Sequence, residues 1–157
     1  MIHTNRQRGF SFIELMLTVA IFAIIVSIGL PAFNDATANS NLRSATMDMI
    51  STINTARAQA VTLRQEITLK PIDDAEWANG WVLEYPAAST EENQEFIPDS
   101  RVEITEAGGI TNIRFLTSGL VSDPVDFTIC DYRAGEMGRR LQVSKLARVE
   151  RTEVACP

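Results

Sequence analysis

From Leu15 to Phe33 the chain reads LMLTVAIFAIIVSIGLPAF, an uncharged apolar run close to the ~20 residues a helix needs to span a bilayer. A carboxylate, Glu14, stands at its head, although a charge in hydrocarbon costs roughly 2.5–3.5 kcal/mol on insertion scales. Beyond Phe33 the pattern becomes amphipathic. Leu42, Thr46, Met49, Ile53, Ala56, Ala60 and Leu63 advance by alternating fours and threes and so line one helical face. Arg43, Asp48, Arg57 and Arg64 mostly fall off that face. Pro31 and the polar patches at Asn34-Asp35 and Asn39-Ser40-Asn41 are the interruptions, and none is a strong stop. The pattern predicts one long helix from Phe10 to Leu63. Its second half is expected to pack on the domain that follows rather than to form a free coiled coil.

From Ile67 the helical period is lost. Short β-prone segments take over: ITLK from Ile67, GWVLEY from Gly80, RVEIT from Arg101, ITNIRFL from Ile110, VDFTIC from Val125 and RRLQVS from Arg139. Turn signals separate them at Ala107-Gly108-Gly109, Ser118-Gly119, Asp123-Pro124 and Ala134-Gly135. Val102 with Ile104, and Phe127 with Ile129, alternate as one-sided strands do. The predicted class is α+β, a long helix laid on an antiparallel sheet or small sandwich. Between Asp73 and Glu106 ten acids meet the single Arg101, which reads as a solvated loop region.

Charge and residue types narrow the chemistry. The chain of 157 residues carries a net charge of −6, which argues against a protein coated in nucleic acid. Its one histidine, His3, precedes the apolar run. Ser11 and Thr18 have no base beside them, so neither is a nucleophile candidate; no catalytic residue, metal site or cofactor is expected. The apolar run itself admits three identities. It fits a signal anchor, oriented by Arg6 and Arg8. It fits a secretory signal cut after Ala36-Thr37-Ala38, although it exceeds the usual 7–15 apolar residues of one. Neither explains Glu14.

RGFSFIELM, from Arg8 to Met16, resembles the class III signal of the type IV pilin superfamily. The resemblance implies cleavage by a prepilin peptidase between Gly9 and Phe10, N-methylation of Phe10, and a glutamate at the fifth mature position, here Glu14. The new α-amino group on Phe10 then offers that carboxylate a positive partner, on the same subunit or an adjacent one. Pro31 matches a proline often found at this depth, where it loosens the helix. Residues 1–9 would be removed as a leader, 10–33 would span the membrane, 34–65 would continue the helix, and 66–157 would form a periplasmic β-rich domain. Removal of the leader takes His3, Arg6 and Arg8, leaving twelve basic residues against twenty acidic, about −8.

Further along, LRSATMDMISTINTARAQAVTLRQEITLKP, from Leu42 to Pro71, is similar to the helix-then-strand segment of FimT/FimU minor pilins and of the related GspH pseudopilins of type II secretion. WANGWVLEY, holding Trp77 and Trp81, matches their tryptophan–glycine–tryptophan feature, and Phe127–Cys130 with Gly138-Arg139 looks like their C-terminal region. The resemblance implies a minor pilin, held in the inner membrane, that joins other minor pilins and the major pilin to promote assembly and then reaches the cell surface. Two further roles compete: a type II secretion pseudopilin, and a DNA-binding FimT-type pilin. The DNA-binding candidates are Arg139, Arg140, Lys145, Arg148 and Arg151, only a partial match to a glycine–arginine–x–arginine motif. From Val125 to Pro157 six basic residues face five acids, so nucleic acid is the weaker expectation. The two tryptophans read as core rather than a ligand platform. Cys130 and Cys156 are each readable as a small buried hydrophobe, but outside the cytoplasm a pair without remainder is expected to bridge. That bridge would tie down a tail that otherwise frays.

Overall fold

The computed structural model describes residues 10–73 and 76–157. It contains the long helix that the sequence predicts, α1, Phe12–Leu63, continuous through Pro31. Two parts of the chain are compact in themselves, dividing between Thr37 and Ala38.

In the first part, the apolar side chains from Phe10 to Phe33 are exposed nearly throughout. Backbone hydrogen bonds close regardless of surroundings in a helix, which is why such a segment can sit in hydrocarbon. The hydroxyls of Thr18 and Ser27 donate back to the carbonyls of Leu15 and Ile24, so no side-chain donor is left open on them.

The second part begins at Ala38, where α1 acquires a buried face. Leu42, Thr46, Met49, Ile53, Ala56 and Ala60 are covered as the stripe predicts, joined by Ala38, Ala45 and Thr52. Arg64, with φ 53°, turns the chain out of the helix into β1, Ile67–Pro71. A 3-10 turn at Trp77–Asn79 leads to β2, Trp81–Glu84. β3 is Gln94–Phe96, β4 Val102–Glu106, β5 Ile113–Phe115, β6 Val125–Asp131, β7 Met137–Val143 and β8 Val149–Ala155.

These strands form two four-stranded antiparallel sheets, ordered β3-β2-β1-β5 and β4-β6-β7-β8. Their inward rows meet the helix stripe in one core containing Leu69, Trp81, Leu83, Phe115, Phe127, Ile129 and Leu141. One expectation is corrected. The acidic region from Asp73 to Glu106 is not simply a solvated loop: besides β2 and β4, which fall in the expected segments GWVLEY and RVEIT, it holds β3. The tail is tied down as expected, with β8 paired to β7 from Val149 to Ala155.

Candidate functional site

Three places carry the expected sites. The first is the head of α1. Ser11 caps it through its carbonyl, which accepts from the Glu14 and Leu15 amides at 3.0 and 3.1 Å. Phe10 precedes the helix and Glu14 stands one turn beyond it, both exposed. Gly9 and the remainder of residues 1–9 lie outside the described residues, and with them the expected scissile bond.

The second is the end of β6. Cys130 and Cys156 are joined as a disulfide, their Cα atoms 5.9 Å apart and both side chains buried. Gly138 on β7 passes directly beneath. A Cβ there would lie 2.5 Å from the Cys156 sulfur, 2.8 Å from the Cys130 sulfur and 2.6 Å from the Ile129 carbonyl oxygen. The residue after Cys130 is Asp131, whose side chain is only 3% exposed. It accepts from the Arg133 amide at 2.9 Å and from the Arg133 guanidinium at 2.6 Å, while Arg133 also donates to Asn39 Oδ1 at 2.8 Å. Those hydrogen bonds hold the Asp131 carboxyl below the usual carboxylate range, chiefly through the guanidinium. Sequence reasoning missed this cluster. Its signal was local: Asp99 and Arg101 repeat the same Asp-x-Arg turn, with the Arg101 amide and guanidinium both donating to Asp99.

The third is the basic set on β7 and β8, which the register divides. Arg139 faces Glu153 and Leu141 faces Arg151, so Arg139 and Arg151 lie on the core side of the sheet. Arg140, opposite Thr152, points to the other face. There Arg140 forms an ion pair with Asp126, whose carboxyl is held low by it. Arg139 pairs with Glu153 at 3.2 Å. Lys145 and Arg148 are exposed in and beside the β7–β8 turn. The five do not form one basic surface, and two of them are already neutralised. Trp77 and Trp81 are core residues: their indole N–H groups donate to the Ile110 carbonyl at 3.0 Å and the Thr52 hydroxyl at 3.1 Å. Among the described residues no three His, Cys, Asp or Glu side chains are grouped to hold a metal.

Comparison with known proteins places this architecture. The family described as type II transport protein GspH matches residues 45–147, and the prokaryotic N-terminal methylation motif matches residues 4–30. A fimbrial protein of Pseudomonas aeruginosa is 38% identical over 61 residues, which is 39% of this chain and 39% of that protein. A fimbrial protein of Moraxella nonliquefaciens is 44% identical over 41 residues, 26% of this chain and 27% of that one. The chain thus matches about two-fifths or less of the length of these curated relatives. In fold it is similar to the type IV minor pilin FimU of Pseudomonas aeruginosa, with a TM-score of 0.62 and 22% identity, over 73% of this chain and 90% of that one. The minor pseudopilin EpsH of the Vibrio cholerae type 2 secretion system is similar with a TM-score of 0.53 and 11% identity, over 73% and 95%.

Proposed function

The chain belongs to the type II transport protein GspH family, one of structural rather than enzymatic proteins, and we propose that within it this chain is a minor pilin. On this reading it enters the inner membrane through residues 10–33, with the domain from Ala38 onward in the periplasm. A prepilin peptidase cuts it after Gly9 and Phe10 is methylated. It then joins other minor pilins and the major pilin in the complex that starts a type IV pilus, and is carried to the cell surface. Pro31 loosens the helix within the membrane-spanning segment.

One observation carries the reading. From Phe12 to Leu30, within the segment where the N-terminal methylation motif matches, the helix is apolar and nearly all exposed, with Glu14 one turn from Phe10. A helix of that kind is retained by a subunit that stays in or passes through the bilayer, whereas a secretory signal is discarded. The match of the GspH family over residues 45–147 supports a second reading, a pseudopilin of type II secretion.

Mass spectrometry of the protein from membranes tests the common step: the expected mature chain begins at methylated Phe10. A chain starting elsewhere overturns both readings. Probing sheared pili then separates them, since a minor pilin is found in that fraction and a secretion pseudopilin is not.

A further inference from the structure

Between the helix and the outer strand of the second sheet lies a crevice of about 760 Å³. Its helix wall carries Arg43, and its strand wall carries Arg139, Arg151 and Glu153. Three guanidinium groups against one carboxylate make it basic in a chain whose net charge is −6. Arg139 is engaged by Glu153, but among the described residues neither Arg43 nor Arg151 has an ion pair, and both are exposed. The floor is different: Leu42 is buried there and Met47 is half exposed.

The crevice follows from the register. Arg151 and Glu153 share the side of the sheet that Leu141 turns to the core, a side on which β6 and β7 bury Phe127, Ile129 and Val143. β8 buries none of its residues. A core-side row made of charges cannot close onto the helix without stripping water from them. The gap therefore stays open, beside an edge strand whose outer main-chain groups have no strand partner among the described residues.

We propose that this crevice docks an extended acidic segment of a neighbouring protein subunit. Its carboxylates pair with Arg43 and Arg151, and an apolar side chain seats on Leu42 and Met47. Nucleic acid fits less well. Glu153 stands inside the crevice, the floor is apolar, and a polyphosphate meets the negative field of the whole domain. The chain carries an example of the complementary chemistry in STEENQEFI, Ser89 to Ile97, where Glu91, Glu92 and Glu95 accompany an exposed Ile97. The proposal takes from the subunit reading only the source of the acidic neighbour, so its test does not involve assembly.

The experiment uses the full chain in detergent micelles and a fluorescein-labelled peptide STEENQEFI, read by anisotropy at low and moderate salt. The expected result is salt-sensitive binding. The peptide STQQNQQFI, lacking the three carboxylates, should not bind. The double variant Arg43→Gln/Arg151→Gln should weaken binding about tenfold, as two partly exposed ion pairs would. Among the described residues neither arginine has an ion pair, so the variant's melting temperature should match that of the parent. Arg148→Gln, outside the crevice, should bind like the parent. Absence of peptide binding, equal binding of the glutamine peptide, or an unaffected double variant would overturn the proposal. Tighter crevice-dependent binding of a duplex DNA of equal charge would overturn it in favour of nucleic acid.

Discussion

At Gly138 the backbone passes so close to the disulfide that a single methyl group would lie within 2.5 Å of a sulfur. All three of the nearest atoms are held, the Ile129 carbonyl by the sheet and the Cys130 and Cys156 sulfurs by the crosslink, so little can give way. Gly138→Ala should therefore lower stability by about 1–3 kcal/mol, read from thermal melts of the oxidised protein. An unchanged melt would mean the strand can shift aside. Asp131 is decided by charge instead of space. Its carboxyl titrates below the ordinary value of about 4, so the contribution is complete above that pH and lost as pH falls through the depressed value. Asp131→Asn should cost roughly 1.5–3 kcal/mol at neutral pH, and the gap to the parent should narrow below pH ~4. A gap that is constant from pH 7 to pH 3 would show that the ion pair is not the source. Gly138 was visible in the sequence only as part of a familiar motif. In the Asp131–Arg133–Asn39 cluster the Asp-x-Arg half is local, but its join to Asn39 spans 94 residues, which no local period reports.

Elements were legible where one face is buried and the other is not. The stripe from Leu42 to Ala60 and the alternations in β4 and β6 record that asymmetry directly, and their residues are core. β8 has the opposite composition, VERTEVA with no buried residue, because an edge strand beside a polar crevice has no dry face to write into the sequence. β3 fails for a second reason: three residues are too few for a period. What holds β8 is its hydrogen-bonded register with β7 and the crosslink at its end. The bridge closes a sequence separation of 26, worth roughly 3–4 kcal/mol in the chain-entropy model. Cys156→Ser should lower the melting temperature and speed amide exchange along β8, leaving β1 and β2 protected. Equal acceleration in both sheets would mean that β8 opens only when the whole domain does. On the helix, Met49→Ala removes a fully buried side chain and should cost about 2–5 kcal/mol by chemical denaturation.

For the molecule as a subunit, the chief physical problem is Glu14, a carboxylate at the head of a run that is otherwise apolar through Phe33. Alone in a bilayer its charge is a cost, and a helix without it would insert at least as well. Its value must come from a partner, and on the proposed processing the new α-amino group of Phe10 is the positive charge nearest in sequence, about one helical turn away. When the two lie on one subunit they neutralise each other in the monomer. When they lie on adjacent subunits, docking relieves two uncompensated charges at once, so the gain appears only on assembly. The second arrangement makes Glu14 an assembly contact and predicts a separation of effects. Glu14→Ala should enter the membrane as well as the parent and still be cut after Gly9, because the scissile bond lies at the polar margin of the apolar run. Replacing Gly9 with a bulky residue should do the reverse and leave an uncut precursor in the membrane. Processing is read by gel mobility, and incorporation by probing sheared pili from the same cells. The expected outcome for Glu14→Ala is normal cleavage with incorporation lost. Normal incorporation would instead place the carboxylate's partner within its own subunit, and the cost of Glu14 would then be offset before any neighbour arrives.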